Sequence, residues 1–273
     1  MMKYDNGRNV MKRDYMTTMR NHAINVCGTA TKSLRLTLLL LLLVPFISRA
    51  GDIRTAADLV GFATACNEGG DTSVWRNAEG TVCLGADIDM AKVKKFPGIS
   101  AFGGVFDGCG HKIMNWKAQS GLFHKILGEV RNLVIDSSCR MKSSSKGGEY
   151  AVGFVVDINC GRIFSCENHG NIEHKSSYAD NVLWIGGIAG INHSLIYDCR
   201  NSGRISSDCS GSLQNPEKVS VRLGGIAGGF RHKLLPAAQV TASENSGDIS
   251  YSGDAPGCRI GGIAGDAYKA VVK

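Results

Sequence analysis

The pentapeptide Gly-Gly-Ile-Ala-Gly occurs three times, at Gly186–Gly190, Gly224–Gly228 and Gly261–Gly265. The first two copies lead into a second shared phrase, Asn-x-Gly-x-Ile, at Asn201–Ile205 and Asn245–Ile249. Degenerate copies lie upstream, as Val152-Gly153-Phe154-Val155-Val156 with Asn168-His169-Gly170-Asn171-Ile172, and as Gly121-Leu122-Phe123. The glycines at 121, 153, 187, 225 and 262 are separated by 32, 34, 38 and 37 residues. A period in that range signals a stack of similar units, each covering its neighbour, rather than one globular core.

Residues 1–50 read as a leader that is set aside before composition is weighed. Six leucines, Leu38–Leu43, sit in an apolar stretch from Leu36 to Ile47, preceded by Lys32 and Arg35 and followed by Ser48-Arg49-Ala50. That is a secretory signal with a small-residue cleavage site, its apolar core too short to span a bilayer. Residues 1–32 make it over-long, and Met11, Met16 and Met19 offer later starts. The formal charge of +7 belongs largely to this segment, because residues 51–273 hold 23 basic and 22 acidic residues. Without a net basic field, nucleic acid is not an expected partner. Nor is a stable membrane span expected once the signal is removed.

Residues 51–273 are read as one domain. Glycine is frequent there but without a Gly-x-y period, which excludes collagen and favours a turn-dense β protein. Export permits disulfides, and nine cysteines remain after Cys27 is removed with the leader. No Cys-x-x-Cys occurs. Residues 55–66 read as an amphipathic helix with Thr55 as N-cap and Gly69-Gly70 as its stop. Beyond it the period falls to two, and turn dipeptides such as Asp107-Gly108 and Ser120-Gly121 punctuate short strands.

One late unit divides into three strands, Val182–Ala189, Ser194–Cys199 and Gly203–Ser206, with corners at Gly190–His193 and Arg200–Ser202. Repeated, this is the pattern of an all-β, right-handed parallel β-helix (a solenoid) carrying a short N-terminal capping helix. Within it Ile188, Ile226 and Ile263 align as an aliphatic ladder, as do Ile205 and Ile249. The doubled glycines Gly186-Gly187, Gly224-Gly225 and Gly261-Gly262, with the closing Gly190, Gly228 and Gly265, permit close backbone passage. Asn201 and Asn245 are expected in left-handed turn geometry, with Gly203 and Gly247 as further positive-φ positions. Cys166 and Cys199 fall at equivalent positions, as a small core ladder in preference to a disulfide. Inserts at Ser143–Gly148, Ser207–Glu217 and Phe230–Ala238 read as surface loops that carry specificity.

The order of these phrases, from Ala57-Asp58-Leu59 through Gly85-Ala-Asp-Ile-Asp-Met90 and Phe106-Asp-Gly-Cys-Gly-His-Lys-Ile113 to the pentapeptides, resembles the GLUG-motif proteins. These are glycine-rich repeats of exported bacterial proteins. The resemblance covers roughly residues 53–265. It implies a right-handed β-helix in a surface, secreted or periplasmic protein, and a non-enzymatic, adhesin-like module presenting loops to glycans or to host or bacterial surface proteins. Such repeats accompany IgA-cleaving metallopeptidases without forming their catalytic site. The His-Glu-x-x-His of a metallopeptidase is missing from this sequence.

A carbohydrate-active alternative, lyase or glycosidase, rests on Asp87 and Asp89, two apart on one strand face, joined by Asp107 from a neighbouring coil. The competing reading gives both aspartates to turns of the first coil. No cofactor or metal motif is present, and the histidines are scattered. Trp184 and Tyr178 near a coil edge are candidates for sugar stacking, with core packing favoured for Trp184. The array stops shortly after Gly265 without a covering element. It reads either as the N-terminal portion of a longer product or as an end that docks on another chain.

Overall fold

The computed structural model describes residues 51–145, 148–176, 181–209, 220–230, 238–253, 257–267 and 271–272. The leader, Tyr178 and most of the inserts expected at Ser207–Glu217 and Phe230–Ala238 lie outside the described residues. The insert expected at Ser143–Gly148 is not a surface loop where it is described: Ser143 and Ser144 end a strand, Gly148 begins the next, and Ser143 and Ser145 are buried with hydrogen bonds to His174. The chain separates into two compact units, and the one described here is Arg49–Lys273.

Helix α1, Ala56–Glu68, opens on a capping box. Thr55 accepts from the Asp58 N–H, and the Asp58 carboxylate accepts from the Thr55 N–H in return. Two otherwise orphaned donors are satisfied this way. Gly69 ends it in the left-handed conformation, φ 69°. Its buried face is Leu59, Phe62 and Ala63. Phe62 lies 5.8 Å from the Phe102 ring and 6.2 Å from Phe106, so the helix closes the aromatic interior of the first repeats.

Among the described residues all other regular structure is β, apart from one turn of 3-10 helix at Ser73–Trp75. The strands form five sheets, and the strands within each sheet pair in parallel with sequence neighbours in the same role. The first sheet runs Val82–Cys83, Val105–Asp107, Glu129–Arg131, Arg162–Phe164, Leu195–Tyr197, Gln239–Thr241 and Val271–Val272. The second holds Gly148–Gly153, Asn181–Gly186, Ser220–Gly224 and Arg259–Gly261. The third holds Phe123–Ile126, Val156–Asn159, Ala189–Asn192 and Ala227–Phe230. The fourth stacks two- and three-residue strands from Ile88–Asp89 to Glu244–Asn245, and the fifth runs from Lys117–Ala118 through Arg140–Ser144, Asn171–Lys175 and Ile205–Cys209 to Ile249–Gly253.

One late repeat therefore contributes five strands, not three. The pentapeptide is itself a corner. Gly186 ends a strand, Gly187 and Ile188 bend, and Ala189-Gly190 begin the next. The Arg200–Ser202 corner is likewise displaced, because Arg200–Asn201 is a strand. Two-residue strands in tight succession leave no alternating run long enough to read from sequence.

Register fixes the interior. In the first sheet Phe106, Val130, Ile163, Ile196 and Val240 are consecutive partners, each fully buried. In the fifth, Met141, Ile172 and Ile205 do the same, and Ile249 continues the row half-buried. Burying each isoleucine contributes about 1.5–3 kcal/mol, so such a row is a principal source of stability. Gly153 pairs with Gly186 rather than Gly187, so Asp157 in the degenerate copy occupies the position of Gly190.

Candidate functional site

The repeated residues meet one another directly. The Ile188 N–H donates to the Ile226 carbonyl at 3.0 Å and the Ile226 N–H to the Ile263 carbonyl at 2.9 Å. Ile188 and Ile226 are fully buried, whereas Ile263 is half-buried against the core. The glycines answer to space. A Cβ on Gly187 would strike the Gly225 carbonyl and the Asn201 amide, and one on Gly225 would strike the Gly262 carbonyl and Asn245. Gly203 and Gly247 similarly abut the Gly170 and Gly203 carbonyls.

Asn201 and Asn245 are not left-handed turn residues. Both lie on extended strands, and Gly203 and Gly247 also lack positive φ. Their side chains stack instead. Asn168 Nδ2 donates to Asn201 Oδ1 at 2.7 Å, and Asn201 Nδ2 donates to Asn245 Oδ1 at 2.7 Å and to the Gly203 carbonyl at 3.0 Å. The left-handed row lies one corner earlier, at Asn132, Ser165, Asp198 and Ala242. An asparagine side chain, with both donors and acceptors, can be satisfied inside the stack by copies of itself, and this is why the residue recurs. Asn201→Ala strands the buried Gly203 carbonyl and the half-buried Asn245 Oδ1, and is expected to cost about 3 kcal/mol in chemical denaturation. A loss below about 1 kcal/mol would contradict the ladder's role.

The three predicted carboxylates do not converge. Asp87 accepts from the Lys112 N–H at 2.9 Å and meets His111 Nδ1 at 3.2 Å. Asp89 accepts from Asn115 Nδ2 and the Ala91 N–H, both at 2.9 Å. Asp107 lies in a different sheet and accepts from Arg131 Nε at 2.7 Å, Asn132 Nδ2 and the Cys109 N–H. The Lys112 amide lowers the pKa of Asp87, and the Asn115 amide that of Asp89. For Asp107, burial opposes ionisation but the bonds to Arg131 and Asn132 prevail and lower it. All three favour the charged form, the reverse of what a general acid needs. They tie one repeat to the next.

Sequence reasoning missed two buried polar groups. Asp157, where later copies have glycine, reaches back to the preceding repeat. Its Oδ1 accepts from the Gly121 N–H at 2.9 Å and its Oδ2 meets His124 Nδ1 at 2.8 Å. Burial raises the Asp157 pKa, and the bond to Asp157 raises that of His124. Elsewhere His174 is buried with Ser143 Oγ at 3.0 Å from Nδ1, Ser145 Oγ at 3.4 Å from Nε2 and the Tyr150 ring 5.2 Å away. Desolvation pushes its pKa down to about 4. The Ser143–His174 pair lacks access to solvent and a carboxylate orienter, so it is a core contact and not a nucleophile. The departure from the pentapeptide at Asp157 was the only signal for either group.

All nine described cysteines are free thiols. Cys166 and Cys199 are fully buried, their Sγ atoms 3.3 and 3.4 Å from the Phe164 and Tyr197 carbonyls. The Trp184 ring lies under the Arg222 guanidinium at 4.3 Å and its Nε1 donates to Glu149 at 3.1 Å, so it packs between repeats rather than facing a ligand. Among the described residues no group of three His, Cys, Asp or Glu is placed to hold a metal, and no helix is long and apolar enough to cross a membrane.

Two outward faces remain. On the first sheet Phe164 and Tyr197 are partners across adjacent strands, ring centroids 6.3 Å apart, and Tyr197 is 47% exposed. The Arg162 guanidinium lies 5.9 Å from the Phe164 centroid. Glu129 bridges Arg131 at 2.9 Å and Arg162 at 3.3 Å beside them. The outward face of the fifth sheet carries a polar depression of about 300 Å³ lined by residues of 171–175 with Arg204, Ser206 and Asp208.

Neither a protein-family model nor a curated protein sequence matches the chain. One solved structure is similar, a "putative immunoglobulin A1 protease" from Bacteroides ovatus, at 18% identity and a TM-score of 0.50. The match covers 78% of this chain and 70% of that one. At this identity the likeness concerns the fold, and it agrees with an all-β chain of parallel sheets.

Proposed function

We propose that the chain is an exported, GLUG-type binding module of bacterial origin whose five parallel sheets wind as a right-handed β-helix closed at its N-terminal end by α1. Parallel pairing between consecutive copies of each strand supports the winding, and parallel crossovers take the right hand almost without exception. The module is non-enzymatic, adhesin-like, and binds glycans at the cell envelope. The observation that carries this reading is the exposed Tyr197 ring beside the half-buried Phe164, with Arg162 next to them. Aromatic faces on a flat, rigid sheet accept the apolar faces of sugar rings, and neighbouring guanidinium groups donate to hydroxyls. Asp87, Asp89 and Asp107, already engaged in joining repeats, are unsuited to the lyase or glycosidase alternative.

Calorimetric titration with neutral oligosaccharides of the cello-, manno- and lactosamine types tests it. Wild type should bind at least one, and Phe164→Ala with Tyr197→Ala should weaken that binding by about ten-fold or more, equivalent to about 1.4 kcal/mol. Binding that survives the double substitution, or no binding at all, would refute the assignment.

The name of the structural neighbour supports a second reading, in which this module is the non-catalytic stalk of a surface peptidase. Under either reading the chain incubated with immunoglobulin A1 leaves it intact, and cleavage would overturn both.

A further inference from the structure

The outward face of the fifth sheet gathers positive charge. Lys117 pairs with Arg140 across adjacent strands, Arg140 pairs with Asn171, and Arg204 follows beside Asn171, whose Oδ1 accepts from the Arg204 N–H at 3.0 Å. One column over, Lys142 meets Glu173, and beyond that Lys175 pairs with Asp208. All five cations are exposed. Only Lys142 has an ion-pair partner among the described residues, Glu173 at 3.9 Å. Residues 51–273 as a whole are nearly neutral, so this concentration of unpaired positive charge on one face is local. The depression lies within it, with Arg204 and Lys175 at opposite ends, four strand positions or about 13 Å apart.

We propose that this face binds an acidic polysaccharide, Arg204 and Lys175 taking its carboxylate or sulfate groups while Glu173 accepts from its hydroxyls. Alternating donors and acceptors at the spacing of a β-sheet suit a chain that carries anionic groups and hydroxyls in alternation. A nucleic acid fits poorly, because the two carboxylates sit where phosphates would run and the one ring lining the depression, His174, is buried and offers bases no face to stack on. The proposal rests on the reading of the chain as a glycan-binding module but uses a separate face, so the two fail separately.

The test titrates the protein with polygalacturonate, heparin and duplex DNA at low and raised ionic strength. Binding of polygalacturonate assigns a carboxylated ligand and binding of heparin a sulfated one. Either should weaken with salt, as exposed charge pairs do. Lys175→Glu with Arg204→Glu should weaken it by about ten-fold or more, while Phe164→Ala with Tyr197→Ala leaves it unchanged. Should the charge reversal unfold the protein, Lys175→Gln with Arg204→Gln must still weaken binding several-fold. The proposal is overturned if neither polysaccharide binds, if the folded variants bind as wild type does, or if DNA binds equally well.

Discussion

Gly225→Ala is expected to abolish cooperative folding of the later repeats, whereas Gly262→Ala, the same position of the same motif, leaves the protein within about 0.5 kcal/mol of wild type. At Gly225 the added methyl overlaps the Gly262 carbonyl and the Asn245 side chain, and neither can retreat because both are bonded into the stack. Rigid backbone on the receiving side turns one methyl into a loss of about 3 kcal/mol or more. At Gly262 nothing among the described residues lies within 4 Å of the methyl. Thermal melting of the two variants checks the pair. Equal effects would mean that the glycines act through backbone flexibility and not through approach of the next repeat.

Acid is expected to destabilise the protein well before its carboxylates protonate. His174 has a folded pKa pushed from 6.5 down to about 4 by burial. Between those values the unfolded chain takes up a proton that the fold excludes, so stability present above pH 6.5 is lost as pH falls towards 4. At 1.36 kcal/mol per unit the full loss is about 3 kcal/mol. His124 and Asp157 act in the opposite sense, since their pKa values are raised: each loses stability as pH rises, His124 from 6.5 upward. Comparing His174→Gln with wild type isolates the first effect. Glutamine can still bond Ser143, and its stability should be flatter over that range by about the same 3 kcal/mol. Parallel curves for the two proteins would place the acid sensitivity elsewhere.

The sequence was most legible where one residue has one task. Thr55, Leu59, Phe62 and Gly69 define α1 within two residues, because caps and a four-residue apolar spacing depend only on neighbours in the chain. The repeat itself announced parallel stacking. What could not be read was the internal division of a repeat, since strands such as Arg200–Asn201 are too short to show alternation. Asn201 illustrates a further limit. Asparagine favours left-handed turns and also stacks on itself in register, and only the partner strands decide between them. In this chain the ladder prevails because Asn168 and Asn245 occupy the adjoining positions. The exposed faces of the first and fifth sheets were invisible for a related reason. Phe164 and Tyr197 are 33 residues apart, as are Asn171 and Arg204, and only register brings them together.

Copies of the pentapeptide satisfy each other's backbone hydrogen bonds. Amide hydrogen exchange under native conditions measures this directly at Ile188, Ala189, Ile226 and Ala227, whose N–H groups donate to Ile226 or Ile263 at 2.9–3.0 Å. Slow exchange is expected at all four, lost together as denaturant unfolds the stack. Fast, independent exchange at these amides, as in a set of glycine-rich loops, would contradict it.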